Sequence, residues 1–257
     1  MSDKNSPIGV IDSGVGGISV LKELIKLMPM ENYLYFGDNK NAPFGTKTAE
    51  EVRNIMLNNT KYMINRGIKA LVIACNTATG AAAKGLRQKY PNFPIIGIEP
   101  AIKPSAKYKE HSNILVMATP LTLKQDNFHD LVDKFADEAN IVPLPCPGLM
   151  ELVEKGETEG EKLDAYLNEL FRPFRNKKID SVVLGCTHYP HIKNAVIKAL
   201  GGHVMIFDGG EGTARETKRR LCESDLLNCS QKKGTLVIEC SDKNNDITAT
   251  ALKLLNI

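Results

Sequence analysis

Ala70-Leu71-Val72-Ile73-Ala74-Cys75-Asn76-Thr77 is the stretch that decides the expected fold, because a second stretch repeats its pattern. The repeat is Ser181-Val182-Val183-Leu184-Gly185-Cys186-Thr187-His188. In both, a short and mostly apolar run leads to a small residue, a cysteine and a hydrogen-bonding side chain. Short apolar runs of this kind are typical of buried parallel strands. The sequence therefore predicts two equivalent strands, each with a cysteine just beyond its carboxyl end.

A weaker similarity pairs Ile8-Gly9-Val10-Ile11-Asp12-Ser13 with Ile114-Leu115-Val116-Met117-Ala118-Thr119. The two cysteines are 111 residues apart, and Asp12 and Thr119 are 107 residues apart. Such near-equal spacing predicts two pseudo-symmetric lobes. We expect the active site in the cleft between them, because α/β proteins normally bind ligands at the carboxyl ends of their strands.

The remaining chain predicts an α/β fold, with a mainly parallel sheet flanked by helices in each lobe. Amphipathic helix patterns separate the apolar runs, and one such pattern stops at Pro29. Thr48–Glu51 and Thr122–Gln125 both have the form of a capping box. The nine runs interpreted as buried strands are Ile8–Ile11, Tyr33–Phe36, Ala70–Ala74, Ile95–Ile98, Ile114–Met117, Ile141–Leu144, Ser181–Leu184, Val204–Phe207 and Leu236–Glu239.

Two stretches rich in proline or glycine indicate where the chain crosses between lobes. They are Pro91–Pro104 and Gly209–Gly212. We therefore assign residues 1–97 and 212–257 to lobe A and residues 98–211 to lobe B. In this division the C-terminal segment returns to the first lobe.

Composition excludes several classes of protein. The chain has 257 residues, with 33 Lys and Arg against 30 Asp and Glu, a net charge of +3. This near balance argues against a nucleic-acid or membrane-surface partner. No apolar stretch approaches the roughly 18 residues of a membrane span or forms a signal segment. The six scattered cysteines predict reduced thiols, so we expect a cytoplasmic protein.

Gly14-Val15-Gly16-Gly17 follows a predicted strand and opens a helix, as a dinucleotide-binding turn would. Ser19 stands where that fingerprint needs its third glycine, so we favour a tight turn whose amides face an anion such as a carboxylate. Asp12 precedes this turn and is either a turn acid or a charge directed into the cleft.

Cys75 and Cys186 differ from the other cysteines because both follow a strand directly. We interpret the others, Cys146, Cys222, Cys229 and Cys240, as structural. Zinc could use the first two together with His188, but a structural zinc site needs four ligands, usually in local pairs, so no metal is expected.

Two thiols facing each other would suit the inversion of a carbon acid. A base must remove the proton from one face while an acid supplies it to the other. A free thiol has a pKa of about 8.5, so one thiolate and one thiol can share these roles near neutral pH. The surrounding motifs contain no Lys or Arg, which indicates a cage of neutral donors for the substrate carboxylates.

The sequence contains four ordered motifs, Ile11–Gly17, Ala42–Gly45, Ala74–Ala78 and Gly185–Pro190. Together these blocks resemble the signature of the bacterial glutamate racemase family, and the resemblance runs nearly end to end. This resemblance implies cofactor-independent interconversion of L- and D-glutamate, without a metal, to supply D-glutamate for peptidoglycan. It also implies a two-lobed subunit, commonly paired as a homodimer.

The resemblance also implies roles for individual residues, most of them within these blocks. Glu154, in the pattern Leu152-Val153-Glu154, and Thr119 lie outside them. Cys75 resembles the base that takes the α-proton from D-glutamate, and Cys186 the base that takes it from L-glutamate. The resemblance implies that Asp12 assists near Cys75, and that His188 and Glu154 assist near Cys186. By default, Glu154 would be a solvated helix residue. The positions that match substrate contacts are Asp12, Ser13, Pro43, Phe44, Gly45, Asn76, Thr77, Thr119, Thr187 and His188.

One residue departs from the family pattern. Phe44 stands where the family usually has tyrosine, so any contact through a phenol hydroxyl is lost. Backbone contacts from this loop do not depend on that hydroxyl.

Three alternatives remain open from the residues. The first is an aspartate or hydantoin racemase of the same two-cysteine design. The second is a non-catalytic two-lobed ligand-binding module, which would not need paired thiols. The third is a thiol redox or metal protein, which predicts bound metal or a Cys75–Cys186 disulfide.

Overall fold

A computed structural model of the chain divides into two compact units. Unit 1 comprises Met1–Glu99 and Gly210–Ile257, and unit 2 comprises Pro100–Gly209. The structure describes residues 3–255, so the first two and last two residues of predicted lobe A lie outside the described residues.

Nine strands form within residues 3–255, and every pairing between them is parallel. The strands are β1 Ile8–Asp12, β2 Tyr33–Gly37, β3 Ala70–Ile73, β4 Ile95–Gly97, β5 Ser112–Ala118, β6 Ala139–Pro145, β7 Ser181–Leu184, β8 Met205–Asp208 and β9 Leu236–Cys240. The helices are α1 Ile18–Leu27, α2 Ala49–Asn65, α3 Asn76–Lys89, α4 Ile102–Tyr108, α5 Pro120–Leu123, α6 Asp126–Asp133, α7 Leu149–Glu154, α8 Glu161–Phe171, α9 Lys193–Ala199, α10 Gly210–Glu223 and α11 Thr248–Leu255. The α/β class predicted from the sequence is therefore confirmed.

The strand orders confirm the internal repeat. Unit 1 contains the order β4-β3-β1-β2-β9, and unit 2, taken from its other edge, contains β8-β7-β5-β6. The register also matches, because Ile8 pairs with Ala70 in unit 1 and Ile114 pairs with Ser181 in unit 2. These are the positions that the two sequence similarities align. β9 is an additional edge strand in unit 1.

The central strands are mostly apolar because each sheet is covered on both faces. In unit 2, Leu115 and Met117 belong to one apolar cluster, whereas Ile114 and Val116 belong to another. Successive residues of a strand point to opposite faces, so two clusters imply two buried faces. In unit 1, α1 buries Ile18, Leu21 and Leu24. Among residues 3–255, no helix combines the length and apolar character needed to cross a bilayer.

Two details of the sequence interpretation were wrong. The strands β6, β8 and β9 are edge strands and are partly exposed, for example at Met205 and Val237. The capping box at Thr48 forms, but the one expected at Thr122 does not. Instead, the Thr119 hydroxyl caps α5 by accepting a hydrogen bond from the Thr122 amide, and Thr122 lies inside that helix.

Candidate functional site

The candidate residues of unit 1 lie at the carboxyl ends of β1 and β3. The Ala74 amide donates to the Ile11 carbonyl over 2.7 Å and holds the two strand ends together. Cys75 then occupies the N-cap of α3, and Asn76 and Thr77 form its first turn; all three side chains are buried. The positive end of a helix dipole favours negative charge at this position.

The glycine-rich turn after β1 holds the carboxylate of Asp12. Asp12 Oδ2 accepts hydrogen bonds from the amides of Gly14 at 3.2 Å and Gly17 at 3.0 Å, and the side chain is buried. A Cβ on Gly17 would lie 2.6 Å from Asp12 Cβ, so only glycine permits this close approach. The sequence analysis expected the amides of this turn to face an anion. In the structure, the anion that these amides bind is the carboxylate of Asp12. Ser13 follows it and is also buried.

Asn76 carries an unsatisfied amide in a buried position. The side chain is 4 % exposed, and within residues 3–255 neither Nδ2 nor Oδ1 has a hydrogen-bond partner. A buried polar group without a partner costs about 1–3 kcal/mol. A ligand that pairs with this amide would recover that cost.

A loop after β2 presents Pro43, Phe44 and Gly45. The Phe44 ring is 1 % exposed, so a phenylalanine here leaves no buried hydroxyl to satisfy. Asp38, which the sequence analysis did not single out, anchors the loop. Its amide donates to the Asp12 carbonyl at 2.8 Å, and its fully buried carboxylate accepts hydrogen bonds from the side chains of Asn41 and Asn59.

The candidate residues of unit 2 repeat this arrangement at the ends of β5 and β7. The Gly185 amide donates to the Met117 carbonyl over 2.7 Å, the counterpart of the Ala74–Ile11 bond. A Cβ on Gly185 would lie 2.9 Å from that carbonyl oxygen, so the close approach requires glycine. Cys186 and Thr187 follow and are buried.

His188 connects Cys186 to Glu154. Its Nδ1 lies 3.8 Å from Cys186 Sγ, and its Nε2 is hydrogen-bonded to a carboxylate oxygen of Glu154, the last residue of α7. Burial lowers the pKa of His188, but the hydrogen bonds and charges of Cys186 and Glu154 outweigh it and raise this pKa well above its ordinary value. Glu154 is therefore not the solvated helix residue of the default interpretation.

Replacing Glu154 with glutamine should lower the pKa of His188. A histidine whose pKa is raised by folding stabilises the folded state. This stabilisation is complete at pH values below the pKa in the unfolded chain, about 6.5, and it is lost as pH rises through the pKa in the folded protein. The variant should therefore show a smaller loss of unfolding free energy between pH 6 and pH 9. NMR titration of the His188 ring and urea unfolding at both pH values measure this. The same substitution at exposed Glu159 is the control, and an unchanged His188 titration in Glu154→Gln would contradict the assignment.

Two further residues complete this region of unit 2. Burial, with a smaller electrostatic contribution from Cys186, raises the pKa of Cys146 to about 12, so the Cys146 thiol stays protonated, as suits the structural role expected for it. Tyr189, whose role the sequence analysis missed, donates its amide to the Cys186 carbonyl at 3.1 Å and its hydroxyl to the Cys146 carbonyl at 3.4 Å. Its position inside the block Gly185–Pro190 was the available signal.

The sequence analysis also predicted reduced thiols and no metal site. All six cysteines are free thiols. Within the described part of the chain, no group of three or more His, Cys, Asp and Glu side chains is arranged to hold a metal ion.

Comparison with known proteins identifies the family. A family profile for Asp/Glu/Hydantoin racemases matches residues 8–217. A glutamate racemase of Clostridium botulinum strain Alaska E43 is 50% identical over 255 residues, which is 99% of each chain. The crystal structure of a Francisella tularensis glutamate racemase in complex with D-glutamate covers 99% of this chain and 95% of its own, with a TM-score of 0.86 and 27% identity. A glutamate racemase isoform from Bacillus anthracis gives a TM-score of 0.87 at 29% identity, with the same coverage. The chain belongs to the Asp/Glu/Hydantoin racemase family.

Proposed function

We propose that this protein is a glutamate racemase that interconverts L- and D-glutamate, with Cys75 and Cys186 as its two proton carriers. The observation that carries the proposal is the equivalent placement of the two cysteines. Each lies two residues beyond the second strand of a matching parallel pair, β1–β3 or β5–β7, in identical register. Relatives named glutamate racemase share about half of the sequence over its whole length.

The chemistry requires a thiolate to remove the α-proton from one face and a thiol to protonate the other. Because the roles exchange with reaction direction, each thiol must serve as the base for one enantiomer and as the acid for the other. In the proposed assignment, Cys75 deprotonates D-glutamate and Cys186 deprotonates L-glutamate. No cofactor or metal takes part in these steps.

Neighbouring residues would assist each thiol. We propose that Asp12 acts beside Cys75 and that His188 acts beside Cys186, where the 3.8 Å contact between Nδ1 and Sγ supports its role. Glu154 would act through the other ring nitrogen of His188, to which it is hydrogen-bonded. The substrate carboxylates and ammonium would be held by neutral side chains and backbone groups at Ser13, Pro43, Phe44, Gly45, Asn76, Thr77, Thr119 and Thr187.

Replacing Asn76 with alanine tests the substrate-binding part of this proposal. Since the amide is buried without a partner in the described chain, its removal should leave the free energy of unfolding unchanged or raise it. The KM for glutamate should rise about tenfold, the worth of one hydrogen bond. Asn59→Ala is the control, because Asn59 donates to Asp38 at 2.7 Å and its loss should lower stability. Loss of stability in Asn76→Ala with an unchanged KM would contradict the assignment.

The proposal also covers the cellular location, the role of the product and the assembly state. We infer that the enzyme works in the cytoplasm, where its free thiols stay reduced, and supplies D-glutamate for peptidoglycan synthesis. We further infer a homodimer, as the family resemblance implies, and no nucleic-acid or membrane-surface partner, as the near balance of charge indicates. Light scattering on the purified protein measures the assembly state.

One experiment separates the possible functions. L-glutamate, D-glutamate and aspartate are offered in deuterated water, with a chelator and without pyridoxal phosphate, while Cα exchange and optical rotation are followed. Exchange with racemisation of glutamate alone supports the proposal. Turnover of aspartate instead would indicate a sibling racemase, and binding without exchange would indicate a ligand-binding module.

A further inference from the structure

The segment that follows β9 is bonded to the loop that follows β2, through one asparagine side chain. Asn39 Nδ2 donates to the Asn245 carbonyl at 2.5 Å and to the Asp242 carbonyl at 3.5 Å. Asn39 Oδ1 accepts from the Asp242 amide at 3.0 Å and from the Ser241 hydroxyl at 3.3 Å. We call residues 241–245 the C-terminal strap.

Backbone groups extend this contact. The Lys40 amide donates to Ser241 Oγ at 2.9 Å, and the Ser241 amide donates to the Gly37 carbonyl at 3.0 Å. The strap therefore bonds the chain at Gly37, Asn39 and Lys40, directly before the Pro43–Gly45 loop. The strap lies outside residues 8–217, which the family profile matches.

The loop is thus held from two directions. The Asp38 carboxylate, just before the loop, accepts from Asn41 and from Asn59 on α2, and the Asp38 amide donates to the Asp12 carbonyl. The strap bonds the same segment separately, chiefly through Asn39. Because both sets of hydrogen bonds fix this segment, we expect the backbone that leads to Pro43 to move little. A loop that presents backbone groups to a ligand needs such fixed positions.

We propose that Asn39 is a positioning residue that fixes the Pro43–Gly45 loop against the C-terminal strap and thereby sets the affinity for substrate. This inference rests on the proposed function, because that loop is a proposed substrate contact. Asn39 itself does not enter the chemistry. Its loss should therefore affect KM more than kcat.

The same strand pair supplies a matched control. Asn32 precedes β2 and bridges to the residue before β9, since its Oδ1 accepts from the Thr235 amide and hydroxyl at 2.9 Å each. Asn32 and Asn39 thus both join β2 to β9, but only Asn39 lies at the carboxyl end, beside the loop. Variants at these two positions separate positioning from general stabilisation of the strand pair.

The test compares Asn39→Ala, Asn39→Asp and Asn32→Ala. In Asn39→Ala we expect KM for both glutamate enantiomers to rise about tenfold, with kcat within about threefold of the parent, because a displaced loop misplaces its ligand contacts. Asn39→Asp keeps the accepting Oδ1 but replaces the donating amide with a carboxylate oxygen that faces the Asp242 and Asn245 carbonyls, so its KM should rise at least as much as in Asn39→Ala. Asn32→Ala should leave KM within about twofold, since it removes hydrogen bonds only at the amino end of β2, away from the loop.

A second measurement does not depend on glutamate turnover. Amide hydrogen exchange across residues 42–47 should be faster in Asn39→Ala than in Asn32→Ala. Equal exchange and equal KM in the two variants would overturn the proposal. If the parent does not racemise glutamate but exchange still differs as expected, the positioning role stands and the proposed substrate fails.

Discussion

Replacing either Cys75 or Cys186 with alanine is expected to abolish racemisation of glutamate in both directions. Removing one positioned proton carrier costs about 10²–10⁴ in rate, and inversion needs both carriers in every turnover. The measurement is the initial rate of optical rotation with each enantiomer. Cys222→Ala is the control, because this thiol is exposed near the end of α10 and should leave the rate unchanged.

Deuterium exchange assigns each thiol to one enantiomer. A single remaining thiol can remove a proton and return a deuteron to the same face, so exchange can persist without inversion. Cys75→Ala should still exchange the α-proton of L-glutamate but not that of D-glutamate, and Cys186→Ala should show the reverse. Racemisation that survives either substitution would require a different proton carrier, and exchange of both enantiomers in one variant would refute the assignment.

The fold was predictable because its strands are covered on both faces. Buried parallel strands such as Ala70–Ile73 and Ser181–Leu184 are wholly or mostly apolar runs, which the sequence displays directly. An apolar run does not predict burial as well when the strand lies at the edge of a sheet, so the exposure of Met205 on β8 was not anticipated. The false capping box at Thr122 has a local cause, since Thr119 followed by Pro120 offers a better helix start.

The candidate site was predictable only where its residues follow strand ends. Cys75, Asn76, Cys186 and Thr187 are of this kind, and their positions follow from local sequence alone. The contact between His188 and Glu154 joins residues 34 positions apart, and no periodicity encodes it. Family resemblance was the only sequence signal for that pairing.

A fully buried ion pair lies at the amino ends of the strands in unit 1. Lys69 precedes β3 and Glu31 precedes β2, and their side chains are 0% and 1% exposed. Lys69 Nζ donates to a Glu31 carboxylate oxygen and to the Lys4 carbonyl at 2.6 Å, while the other Glu31 oxygen accepts from the Asn228 amide at 2.8 Å. The pair therefore joins the N-terminal segment, two strands and the C-terminal part of unit 1.

Lys69→Met is expected to lower the free energy of unfolding by about 3–5 kcal/mol, because it leaves the Glu31 carboxylate buried without its cation. The double variant Lys69→Met with Glu31→Leu should recover most of that loss, since two apolar side chains of similar volume carry no charge to desolvate. Urea unfolding measures both, and Lys4→Met, which removes an exposed pair with Asp225, should show no comparable loss. If the double variant were as unstable as the single one, the hydrogen bonds to Lys4 and Asn228 would be the stabilising element and not the charge pairing. Because the pair lies at the amino ends of β2 and β3, away from Cys75, the folded double variant should keep the racemisation rate of the parent.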